Sequence, residues 1–533
     1  MIIHELSKFL SNLKYEDIPQ ESIDKAKICF IDYLAVYFRG LETDNAKIAI
    51  KTIYELYGSN FNSLNKGFIN GIASHSLDLD DGHRLAQLHP GTIVFSTVLA
   101  MLSNDSFNGF NSDNKLNNEY LDISSEEFFE AVIGGYELAI LLGSLVNPKH
   151  RNQGFHSTGT IGSIVAAAVA SKILKLDLEK TENSLGLATT QSAGLLEADH
   201  AGTMGKSLHV GNAVCNGILS AYLAKNGFTG GESIIDGKEG FLKAMVCDLD
   251  DFNQANEESY ENISKYMEEY FKNFHINEVY LKKYPFCRHI HSSIDASLFL
   301  KESLNRNLDN LGNLDNLDNL DNLENLENLD NLDNLGNSDN SNGLDNFNGL
   351  DNSNGLDNLN NLNNLNFSQI DSIEIKTYKI ASEHDNFSPK SPQDLKQSLP
   401  YAIAISLVSK DLSLDNIDKL IDNGLLKENS ADLEVLEIKE LLSKINIVCD
   451  DDLDSLSPQK RPSQIVIKFK DDSIEDLECT SYYPLGEMEN PLELEDILEK
   501  FKDLNPDFDI NKLDMIKNME DYSIKELFKA IGI

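Results

Sequence analysis

The sequence predicts a mainly α-helical protein with an α+β section in the middle of the chain. Helical periodicity dominates from the first residues to about 270 and returns from about Pro491. Between these stretches, residues 370–380 and 462–472 alternate apolar and polar side chains at the two-residue period of a strand. A chain of 533 residues is also too long for one core, so two domains are expected. The texture gives a helical segment over 1–272, an α+β segment over 273–484 and a closing helical segment over 485–533.

The opening MIIHELSKFLSNLKYEDIP puts Ile3, Leu6, Leu10 and Leu13 on one face of a short helix. It lacks the continuous apolar run and small-residue cleavage site of a signal peptide, so none is expected. Residues 19–40 follow helix grammar, with Pro19 at the start, Ile23, Ala26, Phe30, Tyr33, Leu34 and Tyr37 as the apolar set, and Gly40 as the stop. Further helices are expected over 124–145, 158–174, 179–196 and 206–225, joined by connectors carrying Gly, His and Asp. The run IGSIVAAAVASKIL is short for a bilayer and rich in Ala, which predicts a tightly packed core helix. In the middle section, residues 398–410 and 413–445 look helical, and the closing segment supplies PLELEDILEKFKDL and YSIKELFKAIG.

Residues 305–366 run on an Asn-Leu triplet. A period of three matches neither helix nor strand, so no buried face forms, and a disordered or irregular loop insertion without catalytic role is expected.

The formal net charge is -42. Such a chain repels phosphate backbones and anionic bilayers, so neither nucleic acid nor membrane is expected as a partner. About a dozen acids lie in the triplet stretch, leaving the remainder near about -30 and still acidic. An anionic substrate would therefore need a local pocket of Lys, Arg and His. The six cysteines show no CxxC spacing, which suits reduced thiols in a cytoplasmic protein.

Three clusters could carry chemistry. The first, HSLDLDDGHRLAQLHPG, holds His75, Asp78, Asp80, Asp81, His83 and His89; the second, GFHSTGTIG, holds His156; the third, GTMGKSLHVGNA, holds Lys206 and His209. Asp78 and Asp81 are spaced for one helical face, but adjacent carboxylates are commonly capping or solvent-facing, and no HExxH pairing occurs, so no metal is expected. Proton removal beside a carboxylate needs a base, a proton donor and cations for the developing charge, and His and Lys serve these roles. Each residue alone is ambiguous, because a His beside Gly is usually a satisfied loop residue and a Lys at a helix start is usually solvated. No GxSxG elbow, GxGxxG or Walker A loop appears, so nucleotide cofactors have no support.

At these clusters the sequence resembles the MmgE/PrpD family, which includes 2-methylcitrate dehydratase, cis-aconitate decarboxylase and iminodisuccinate epimerase. The matching text is ICFIDYLAVYFRG, HSLDLDDGH…HPG, GFHSTGTIGSIVAAAVASKILKL, LGLATTQSAG, GTMGKSLHVGNAV and GFTGGESIIDGKEGFLKAM, then KKYPFCRHIHSSIDA, QSLPYAIAISL and PLGEMENPLE. It covers nearly the whole chain outside the Asn-Leu stretch. The resemblance implies an all-helical domain formed by the N- and C-terminal segments and an α+β lid domain from the middle of the chain. It also implies a homodimer and a cleft site without metal or organic cofactor. The family's site positions fall on Asp78, His89, His156 and Lys206, with Arg288 and His291 of CRHIH expected to bind substrate carboxylates from the lid. Where several members carry Thr after the paired acids, this chain has Gly82, which removes one hydroxyl.

The function so implied is a cofactor-independent lyase on a small polycarboxylic acid, either dehydrating it like 2-methylcitrate dehydratase or decarboxylating it like cis-aconitate decarboxylase, and working by proton transfer next to a carboxylate. Epimerisation of an iminodisuccinate-like acid is the rival chemistry, and a non-catalytic helical scaffold of the same fold the rival class.

Overall fold

The computed structural model describes the chain except residues 60, 103–120, 122, 247–256, 313–346, 349–366 and 472. Two compact units result, one formed by Met1–Lys283 with Leu492–Ile533 and the other by Tyr284–Pro491. The boundaries thus fall at 283/284 and 491/492, against 272/273 and 484/485 read from texture.

The first unit is helical. Its elements to residue 225 are α1 (Ile2–Asn12), α2 (Gln20–Gly40), α3 (Asp44–Tyr57), α4 (Ser63–Ser74), α5 (Pro90–Leu102), α6 (Ser125–Val146), α7 (Lys149–Asn152), α8 (Ser157–Ile173), α9 (Leu178–Thr189), α10 (Glu197–His200) and α11 (Gly205–Lys225). Their starts are written locally. Asn62 Oδ1 accepts from the N–H groups of Leu64 and Asn65 at α4, and Ser124 with Glu127 forms a capping box at α6. Helix α8 is buried from Ser157 to Ser171. Its Gly, Ala and Ser content suits that central place, because small side chains let helices α5, α6, α9 and α11 pack on it. The expected 179–196 helix ends early, at Thr189, and the chain then turns through Gly194 at φ 146°.

Helices α4 and α11 approach closely at Gly71 and Gly211. A Cβ on Gly71 would sit 2.9 Å from the Gly211 backbone, and one on Gly211 would sit 2.6 Å from Phe68 O. This contact brings the start of α11 beside the loop that follows α4. Helix α6 is long and apolar enough to cross a membrane, yet 89% of its apolar window is buried inside the protein.

In the second unit, strands β1 (Phe347–Asn348), β2 (Ile370–Thr377), β3 (Ile445–Cys449), β4 (Ser463–Phe469) and β5 (Leu477–Ser481) form a sheet in the order β1-β5-β4-β2-β3. Strands β2 and β3 are parallel with Ile373 opposite Ile445, and the other pairs are antiparallel. Helix His291–Gly312 packs on strands β4 and β5, and helix Leu399–Val408, capped by Ser398, packs on that helix; Ile294, Leu300, Ile403, Ile465 and Ile467 belong to the one apolar core they share. Two expectations change here. The 413–445 stretch is two helices, Leu414–Asp422 and Leu433–Leu442, separated by Gly424 at φ 100°. Helix His291–Gly312 also runs into the Asn-Leu stretch, because its register continues from an apolar helical start; most of the remaining triplets lie outside the described residues.

Candidate active site

Residues 75–89, between α4 and α5, supply most of the candidate groups. They are not helical. Asp78 takes φ 57° and Gln87 φ 50°, left-handed conformations that Asp tolerates better than most residues. Of the two expected roles for such acids, capping or facing solvent, the second fails, because Asp78, Asp80 and Asp81 are all buried. A buried carboxylate needs compensation, and each of the three finds a different kind.

Asp78 is held between two ammonium groups. Lys282 Nζ donates to Asp78 Oδ1 at 2.9 Å and to its backbone oxygen at 2.8 Å, and Lys206 Nζ lies 3.3 Å from the same Oδ1. Burial by itself raises this carboxyl's pKa, but Lys206, Lys282 and His89 outweigh it and hold Asp78 well below the usual range. Lys282 shows the reciprocal effect: burial would lower its pKa, and Asp78 reverses this so that it stands raised. Lys206 is shared with Asp199 at 3.4 Å. Lys282 arrives through a backbone bridge, in which Gly82 N–H donates to Tyr280 O at 3.1 Å and Tyr280 N–H to Gly82 O at 2.9 Å. A Cβ on Gly82 would overlap the Tyr280 hydroxyl, so a side chain at this position needs the Tyr280 ring to shift.

Asp80 faces imidazoles. Its Oδ2 lies 2.7 Å from His75 Nδ1 and 3.3 Å from His89 Nδ1. Burial raises its pKa, but the two histidines prevail and lower it. Asp81 instead accepts from Tyr136 Oη at 2.6 Å and from Gly91 N–H at 2.9 Å, so it caps the first turn of α5. Burial, aided by Asp80 and Asp32, pushes its carboxyl up to about 7.

His89 has a defined tautomer. Its Nδ1 faces the Asp81 carbonyl oxygen, which can only accept, so Nδ1 carries the proton. Burial, opposed by Asp80 but helped by Lys282, His75 and Lys206, lowers its pKa to about 4. At neutral pH it is therefore an uncharged imidazole whose Nε2 is a lone-pair base. His156 precedes α8 and stacks on His75 with centroids 5.5 Å apart; its Nδ1 lies 3.2 Å from His209 Nδ1. Burial and the neighbouring His75, Lys206, His209 and His89 keep His156 well below its ordinary pKa. His75 is buried, and its Nε2 finds no hydrogen-bond partner among the described residues.

The fold thus brings Asp78, His89, His156 and Lys206 together, and it adds His75, Asp80 and His209, named in the same sequence clusters but given no role there, and Lys282, which sequence reasoning did not select. Lys282 lies in the KKYPFC motif, but nothing local signals its distant partner. Among the described residues, His75, Asp80 and His89 also place three potential metal-ligating atoms within 4.8 Å of one another, although those of His75 and Asp80 already bond each other. Arg288 and His291 belong to the second unit, where both are buried. Arg288 donates to Leu485 O at 2.8 Å and Pro484 O at 3.1 Å, pairs with Glu487 at 3.3 Å, and donates to His291 Nδ1 at 3.1 Å. His291 Nε2 in turn donates to Phe286 O at 3.0 Å. Both residues brace the second unit through these bonds.

Residues 4–253 match the MmgE/PrpD N-terminal domain, and residues 354–521 match the MmgE/PrpD C-terminal domain. The chain is 28% identical over 263 residues to a cis-aconitate decarboxylase-like protein, oryM, of Aspergillus oryzae, covering 47% of this chain and 51% of that one. It is 25% identical over 329 residues to the cis-aconitate decarboxylase of Aspergillus terreus, covering 58% and 63%, and 27% identical over 256 residues to that of Homo sapiens, covering 45% and 49%. The match therefore spans about half to just under two thirds of the length of these relatives. With both domains matched in order, and the motif residues of the first gathered around one buried carboxylate, this chain belongs to the MmgE/PrpD family.

Proposed function

We propose that the chain is a lyase that decarboxylates a small unsaturated tricarboxylic acid of the cis-aconitate type. The observation that carries this reading is the pairing of Lys206 and Lys282 around Asp78, beside the uncharged imidazoles of His89 and His156. The two ammonium groups, Lys206 and Lys282, give an otherwise anionic chain charged donors of the kind a substrate carboxylate requires. The names of the relatives favour loss of carbon dioxide over loss of water.

In such a reaction the C–C bond to one carboxyl breaks and its electron pair moves into the adjacent alkene and carboxylate. A proton is then added at carbon. Lys206 is suited to hold the developing charge and to deliver that proton, since its side chain is 17% exposed and its Nζ lies 3.3 Å from Asp78 and 3.4 Å from Asp199. The proton spent at carbon is replaced from solvent; His89 Nε2, a lone-pair acceptor, is suited to take it from water and pass it on to the lysine, and Asp78 to orient the ammonium. No metal, organic cofactor or second substrate is invoked; a homodimer in the cytoplasm remains part of the proposal.

Incubation with cis-aconitate, 2-methylcitrate and iminodisuccinate in deuterated water tests the reading. Carbon dioxide release from cis-aconitate, with one deuterium in the product, is the expected result. Turnover of none of the three acids overturns the enzyme reading, and water loss from 2-methylcitrate alone overturns decarboxylation.

A further inference from the structure

The second unit contains a thiol–imidazole pair outside the site described above. Cys287 Sγ lies 3.5 Å from His384 Nε2. His384 Nδ1 lies 3.1 Å from Gln397 O. A carbonyl oxygen can only accept, so Nδ1 carries the ring proton and Nε2 presents its lone pair to the thiol. That is the tautomer able to take the proton of Cys287. The opposite tautomer would set an N–H against the sulfur and leave Nδ1 facing an acceptor.

The surroundings hold this arrangement. His289 stacks on His384 with centroids 5.9 Å apart and a 21° interplanar angle, and its Nδ1 lies 2.6 Å from Tyr378 Oη. Cys287 N–H donates to Lys396 O at 2.9 Å, which fixes the backbone carrying the sulfur. Cys287 also precedes the turn Arg288–Ile290 that leads into helix His291–Gly312, so the positive end of a long helix lies next to the thiol. Arg288, next in sequence, and Arg461 are both paired with Glu487, while Lys396 and Glu383 are further charged residues on the segments that carry the pair. Cys287 and His384 are each partly exposed. By contrast Cys29 and Cys479 are buried, and burial pushes both thiols up to about 12.

We propose that Cys287 and His384 form a proton-transfer pair that makes Cys287 a nucleophilic thiol, a site of covalent addition to electron-poor alkenes. In that addition the S–H proton passes to His384 Nε2, and sulfur bonds to the β-carbon of the alkene. The π pair moves to the α-carbon, which takes the proton back. No oxidant or leaving group is required.

Brief labelling of the full chain with N-ethylmaleimide, resolved by peptide mass spectrometry across pH 5 to 9, tests the proposal, with the exposed Cys449 as internal reference. Lowering a thiol by one pKa unit gives about tenfold more thiolate below its ordinary pKa, so Cys287 should lead Cys449 by about that factor near pH 6.5. His384→Gln should remove the lead while leaving Cys449 unchanged. Parallel pH profiles for the two thiols in the unaltered chain, or a lead that survives His384→Gln, overturn the proposal.

Discussion

Lys282 and Lys206 both contact Asp78 Oδ1, but they stand in different surroundings. The Lys282 side chain is 1% exposed, and its ammonium also holds the Asp78 backbone; the Lys206 side chain is 17% exposed. Removing a buried partner strands the remaining charge, at a cost on the order of 3–5 kcal/mol. Lys282→Met should therefore destabilise the chain by about that amount in urea unfolding. Lys206→Met should cost clearly less stability and abolish turnover of the acid. Equal losses of stability would remove the distinction between an anchoring and a reacting ammonium. The sequence foretold one of these residues and not the other, for a physical reason. Lys206 begins a helix within its own motif, whereas Lys282 meets a carboxylate 204 residues away through a backbone bridge at Gly82.

At the scale of elements, helix starts were legible because capping chemistry is local. Ser124 with Glu127, Asp177 before α9 and Ser523 with Glu526 all act within one turn. Strands β3 and β5 were not legible. Each is five residues long, and their burial does not alternate cleanly, since pairing with β2 and β4 rather than a local pattern defines them. The loop 75–89 was legible in composition but not in shape. Three acids in a row of four suggest solvent until the lysines, histidines and Tyr136 that surround them are known. The α4–α11 crossing supplies a test of how such a loop is placed. Gly71→Ala inserts a methyl group 2.9 Å from the Gly211 backbone, so the helices must separate. Overpacking of this kind costs roughly 1–3 kcal/mol. Because Lys206 rides on α11 and Asp78 follows α4, turnover should fall more than thermal stability alone explains at a temperature where the variant is folded. Unchanged turnover would show that the crossing does not set the lysine–aspartate distance.

Across the whole chain, the acidic surplus coexists with acids kept inside. Asp81 carries a carboxyl pushed up to about 7, chiefly by burial. A group whose folded pKa is raised contributes stability that is fully present below its unfolded value, about 3.9, and is lost as pH rises through the folded value. Asp81→Asn keeps the shape and removes the titration. The melting temperature of this variant, measured relative to the unaltered protein, should rise from pH 5 to pH 8. A constant difference over that range would mean that Asp81 is ionised throughout.

The closing segment fastens the same loop from the other end of the chain. Lys500, on helix Leu494–Leu504, donates to Asp32 Oδ1 at 2.6 Å and to Leu79 O at 2.9 Å, next door to Asp78. A ribosome therefore releases His75, His89, His156, Lys206 and Lys282 long before it releases Lys500, which ties the loop down. Until Lys500 emerges, the nascent polypeptide lacks the bonds from this lysine to Asp32 and to the Leu79 carbonyl.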